Sequence, residues 1–127
     1  MPEVKWFTPK EANQTLPLVK RIVADILETG QLIRSLTVTM EKPEEDPKIN
    51  RLMDQLDELF EELEALGCSY KDWNFSVGLV DFPGMVQGRE VLLCWKSDED
   101  KIGHYHDADA GFAGRKPIPA ESLNAEE

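Results

Sequence analysis

The stretch PKINRLMDQLDELFEELEALG, residues 47 to 67, decides the architecture. Ile49, Leu52, Leu56, Leu59, Leu63 and Leu66 recur at alternating intervals of three and four, and Met53 and Phe60 widen the stripe. That spacing keeps one face of an α-helix apolar. Pro47 lies close to where such a helix can start, and Gly67 stands where a left-handed cap would end it. The pattern predicts a helix over 48–66, about 28 Å long at a rise of 1.5 Å per residue.

Working towards the N-terminus, EKPEEDP (41–47) is a charged turn with two prolines. Ahead of it Ala12, Leu16, Val19, Val23, Ile26, Ile33 and Met40 fall on a seam of the same kind, with Gly30 and Thr37 at its remaining positions. TPKE (8–11) supplies a Thr cap, a Pro for the first helical position and a Glu able to reach back, and Phe7 and Ala12 are placed for a modest staple. A helix is therefore expected over 9–40. Pro17 should kink or restart it near Asn13, and Thr29-Gly30 should weaken it or let another part of the chain approach closely. The two helices, joined by a short linker, form an antiparallel hairpin. A hairpin buries each stripe on one side only, so the rest must be covered by the remaining chain or by a second copy.

After Gly67 the vocabulary changes. Seven of the ten aromatic residues lie between 68 and 112, amid Val, Leu and Gly. Three strands are expected: 76–82, ending at a Pro83-Gly84 turn; 89–96, apolar on both faces and so central; and 101–107, after a turn at SDED. Residues 117–127 read as a flexible tail. The fold expected is α+β: one domain over 1–116, a long antiparallel helical hairpin packed against a small three-stranded antiparallel sheet.

Composition narrows the function classes. The formal charge of -11, with 25 acids against 14 bases, opposes binding of a nucleic-acid backbone. Residues 41–64 alone hold ten acids and three bases, which reads first as a solvated helix face and second as a docking face for a basic partner. The absence of a long apolar run and of a signal-peptide pattern points to a cytoplasmic protein with no membrane span. Cys68 and Cys94 sit beside apolar neighbours and read as reduced, buried thiols rather than a disulfide framework.

The chemistry-bearing stretch is IGHYHDADAGFAGRKPI (102–118). Residues two apart in a strand share a face, so His104 and His106 could chelate a divalent metal with a carboxylate from Asp109 or Asp107. A catalytic reading takes His106 as acid or base, oriented by Asp109 or Asp81, with Arg115 holding an anionic group. Plainer readings stand beside these: surface or hydrogen-bonding histidines, Arg115 clamping the loop through an ion pair with an Asp, and Asp81 accepting amides of a turn. Gly111 and Gly114 could form a small anion nest, or permit a tight turn around Phe112. No G-x-S-x-G, Walker loop, HExxH or CxxC occurs.

Taken in order, FTPKEAN with the following LP, then GLVDFPG, GREVLLCW and HDADAGFAGRKPI, resemble the prokaryotic domain of unknown function numbered 2203, over nearly the whole chain. The resemblance implies no activity. It does weight residues: Asp81, Arg89, His106, Asp107, Asp109, Gly111, Phe112, Gly114 and Arg115 match the pattern, whereas His104 stands where the family carries an aromatic. Any site should then centre on His106, Asp109, Arg115 and Asp81. The favoured reading is a non-enzymatic binding or oligomerising module, a homodimer through its helices, motivated by a leucine seam that one small sheet would not cover. The alternative is a small-molecule or metal-binding protein, with hydrolysis as an option, using Asp81, His106, Asp109 and Arg115, with Asp107 a further candidate of the polar site.

Overall fold

The computed structural model of the chain describes residues 5–72 and 74–123. Helix α1 runs Pro9–Thr37 and opens with the expected capping box: Thr8 Oγ1 accepts from the Glu11 amide at 3.1 Å, and Glu11 Oε1 accepts from the Thr8 amide at 3.0 Å. It continues through Pro17 and Gly30 and stops three residues short of expectation, at the β-branched run Thr37-Val38-Thr39, where helix propensity is low. Gly30 is where another segment approaches: a Cβ there would run into the ring of Phe75.

After a 3₁₀ turn at Pro43–Glu45, α2 spans Pro47–Leu66, one residue longer at its start than expected. Asp46 caps it, accepting from the amides of Lys48 and Ile49, and Gly67 ends it in the left-handed region. Ile49, Leu56 and Leu63 are buried, and Leu52, Leu59 and Leu66 are half-buried. The seam is thus covered largely within the chain, by α1 and the first strand.

The sheet has five strands in chain order, all antiparallel: β1 Ser69–Tyr70, β2 Leu79–Val86, β3 Arg89–Lys96, β4 His104–His106 and β5 Lys116–Pro117. The expected three are corrected to five, since β1 and β5 are two residues each and too short to display an alternation. The apolar strand 89–96 does lie at the centre. The expected strand 76–82 is displaced to 79–86 and passes through Pro83. Pro83 is tolerated because its backbone faces away from β3: its carbonyl accepts from the Phe7 amide at 2.8 Å, so its missing N–H is not in the β2–β3 ladder. The hairpin instead turns at Gln87-Gly88, with φ of 52° and 77°, the pair of positive values a type I′ turn demands. The third strand is shortened from 101–107 because the Asn13 side chain takes both backbone groups of Ile102, donating to its carbonyl at 3.1 Å and accepting from its amide at 2.8 Å.

The expected tail from 117 is also corrected in part. Ile118 is buried, its amide donates to the Gly103 carbonyl, and a short helix α3 follows at Ala120–Leu123. Residues 124–127 of that tail lie outside the described residues.

Alternation along the strands separates two faces. Val80, Phe82, Leu93 and Trp95 point to the face packed against α1 and form the core with Phe7, Val19, Val23 and Ile26. Their neighbours Leu79, Asp81, Leu92, Cys94, His104 and His106 share the outer face. The loop from Asp107 to Arg115 lies over that face. No helix among the described residues is long and apolar enough to cross a membrane.

Candidate functional site

Three adjacent strands each contribute one chemistry-bearing side chain to the outer face. Asp81 on β2 is directly opposite Cys94 on β3, and His106 on β4 lies one pleat along from His104, the partner of Cys94. Residues paired across antiparallel strands share a face, so the three converge. One ligand atom from each lies within 4.8 Å of the others, and all three residues are buried.

The hydrogen bonding of His106 defines the chemistry. Its Nδ1 lies 2.8 Å from the carbonyl oxygen of Asp107, which can only accept, so Nδ1 carries a proton. Its Nε2 faces both carboxylate oxygens of Asp81 at 3.2 Å. With its Nδ1 protonated, a neutral imidazole would turn the Nε2 lone pair towards that carboxylate. Something positive must sit between them, either a proton or a metal ion. Cys94 stands beside the pair. Burial first, then the charge of Asp81, pushes its thiol up to about 12, against a downward pull from Arg115. Without a metal it is therefore a protonated thiol and not a cysteine nucleophile.

The cluster opens onto a cavity of about 320 Å³ lined by Lys71, Leu79, Leu92, Ala108, Gly111 and Phe112. Arg115 holds the loop over it. Its Nη2 donates to Glu99 Oε1 at 2.8 Å and to the Cys94 carbonyl at 3.3 Å, and its guanidinium lies 4.9 Å from the centre of the Phe112 ring. Glu99 also accepts from the Lys96 amide, so Arg115 and β3 are tied to one carboxylate.

The residues singled out by sequence thus divide. Asp81 and His106 come together in the buried pocket. Arg115 makes the loop clamp of the plainer reading, with Glu99 rather than an Asp as its partner. Asp107 offers its carbonyl to His106, while its carboxylate pairs at the surface with Arg89 at 3.0 Å and Lys116 at 4.0 Å. His104 is turned to Glu99, its Nδ1 at 3.4 Å from Oε2, and does not join His106. Asp109 is exposed on the loop and outside the cluster. Sequence reasoning missed Cys94 and Lys71. The signal for Cys94 was the hairpin register: it lies as far after Gly88 as Asp81 lies before Gln87.

A larger groove, about 800 Å³, runs between the first half of α1 and residues 100–103. Its Asn13 is engaged with Ile102, and Lys20 Nζ donates to the Asp100 carbonyl, so these two side chains tie the groove's walls together.

In comparisons with known proteins, the family model described as "Uncharacterized conserved protein (DUF2203)" matches residues 5–118, which include every residue of the pocket. No curated protein and no solved structure matches the chain.

Proposed function

The chain belongs to the DUF2203 family, and from the geometry of its buried pocket we propose that it binds one divalent transition-metal ion through Asp81, Cys94 and His106. The observation that carries this reading is the arrangement around His106. Its Nδ1–H is anchored on a backbone carbonyl, which fixes Nε2 as the outward ligand in the way metal-bound histidines are held. Nε2 then meets two further donor atoms, a carboxylate oxygen and a sulfur, with a cation-sized need between them. Two ligands about 2.1 Å from a tetrahedral ion stand about 3.4 Å apart, and Nε2 and the Asp81 oxygens are 3.2 Å apart. A sulfur, nitrogen and oxygen set favours zinc over magnesium or calcium.

Three protein ligands leave a fourth position towards the cavity. That is the arrangement of catalytic rather than structural zinc, in which bound water ionises near neutrality, so hydrolytic chemistry extends the proposal. The reading of the protein as an oligomerising module has less support from the fold. The leucine seam that motivated it is largely covered within the chain, with Met53 the exposed member of its stripe, and the exposed apolar residues of α1, Leu18 and Leu32, lie fourteen residues, about 21 Å, apart on the helix.

The test is metal stoichiometry. Protein stripped with chelator, reloaded with zinc and desalted should carry one zinc per chain by elemental analysis. Cys94→Ser and His106→Gln should each lose it while keeping a native circular dichroism spectrum. Zinc-free wild type after reloading would overturn the proposal and assign the pocket to a proton shared within a buried His–Asp pair.

A further inference from the structure

Resting on the metal reading above, we infer that the fourth coordination position receives a small monocarboxylate with an apolar tail, and that Lys71 supplies the matching charge. A divalent ion is balanced by the Asp81 carboxylate and the Cys94 thiolate, with His106 neutral. The metal and its ligands are then electrically neutral. Lys71 follows β1, where its amide donates to the Leu79 carbonyl at 2.7 Å, and it lines the cavity from the same outer face. Lys71 is exposed at the rim of that cavity, and among the described residues its ammonium group has no ion pair, unlike Arg115, the other cation beside the cluster, which is held by Glu99. Arg115 and Glu99 cancel each other, so the filled site presents one uncompensated positive charge, at its solvent-facing rim, beside walls formed by Leu79, Leu92, Ala108 and Phe112.

A monoanion cancels that excess; a phosphate dianion would overshoot it. A carboxylate also suits the open position of zinc, since carboxylate oxygen is an ordinary zinc ligand. The apolar walls call for a tail, and a cavity of about 320 Å³, at the small end of ligand pockets, limits it to a few carbons.

Cobalt-substituted protein reads both halves of this inference in one cuvette. Cobalt alone should give a visible d–d spectrum and a thiolate charge-transfer band. Butyrate should then shift the d–d bands saturably, and acetate should bind more weakly, by about fourfold for each methylene lost from the apolar wall. Butyramide, neutral and of the same shape, should bind at least tenfold more weakly than butyrate. Lys71→Met should weaken butyrate about threefold, the effect of one exposed ion pair, and leave cobalt affinity unchanged, since Lys71 contributes only its backbone to the fold. A cobalt spectrum that butyrate does not move, equal binding of butyrate and butyramide, or a Lys71→Met protein that binds butyrate like wild type would overturn the inference while leaving the metal site standing. No cobalt spectrum at all would overturn the metal site and this inference with it.

Discussion

Replacing Asp81 by Asn and by Ala separates what its carboxylate does for the fold from what it does for a metal. In metal-free protein the Asn amide can donate to Nε2 of a neutral His106, while Nδ1–H keeps its bond to the Asp107 carbonyl. Every buried polar atom retains a partner, so the loss should be about 1 kcal/mol, the difference between a charge-assisted and a neutral hydrogen bond. Ala removes the side-chain partner from an Nε2 whose residue is 3% exposed. Leaving that nitrogen unsatisfied, together with the lost packing, should cost about 2–4 kcal/mol. Zinc at a hundred times its dissociation constant should add about 2.7 kcal/mol to the wild type and nothing to either variant. Urea unfolding with chelator and with zinc measures all six values. The reasoning fails if Asn and Ala cost the same in chelator, or if the Asn variant gains from zinc as much as the wild type does.

Other consequences are independent of the metal. Burial raises the Cys68 thiol from its usual 9 to about 12, and burial with Asp81 does the same for Cys94. Because these folded-state values lie above the unfolded ones, the stability involved is fully present below pH 9 and is lost as pH rises from 9 towards 12. At pH 11 each thiol should remove roughly 2–3 kcal/mol, with Tyr70, raised by burial and by Asp72, adding to the decline. Denaturation of the metal-free Cys68→Ala, Cys94→Ala protein across pH 8.5 to 11 should show a much flatter slope, and an unchanged slope would contradict the assignment. Gly30→Ala should destabilise by about 1–2 kcal/mol despite its better helix propensity, because the new methyl meets the Phe75 ring; in a Phe75→Ala background the same change should become stabilising. Gln87→Asn should raise stability by about 0.5–1 kcal/mol by easing the positive φ of the hairpin, read as a higher urea midpoint at constant slope.

The helical hairpin was legible because its signals are redundant. A three-four leucine pattern, the Thr8–Glu11 capping box, a proline at the start of the second helix and a glycine at its end all point the same way, and the boundaries of α2 follow within a residue. The sheet was less legible for two physical reasons. Strands of two residues have no periodicity to read, and Pro83-Gly84 looks like a turn unless one knows that Phe7 bonds the far side of that strand. Misplacing that turn hid the site as well. With the hairpin at Gln87-Gly88, Asp81 faces Cys94; with it at Pro83-Gly84, Cys94 is only an apolar residue in a central strand. His106 and Asp81 could be named from sequence, as could the clamp made by Arg115. Its partner Glu99 could not, because that contact depends on how the turn after β3 folds back towards the loop. The visible pair of histidines shares a face of β4 but not a partner: His106 meets Asp81 across the sheet, while His104 lies beside Glu99 of the turn after β3.

The most direct test of the metal site is an anomalous difference map from crystals of the reloaded protein, recorded above and below the zinc absorption edge. The account predicts one peak per chain, about 2.0–2.3 Å from His106 Nε2, Cys94 Sγ and an Asp81 carboxylate oxygen, with Nδ1 still on the Asp107 carbonyl. A map without a peak there, with His106 Nε2 and Asp81 in direct hydrogen-bonded contact, would contradict it.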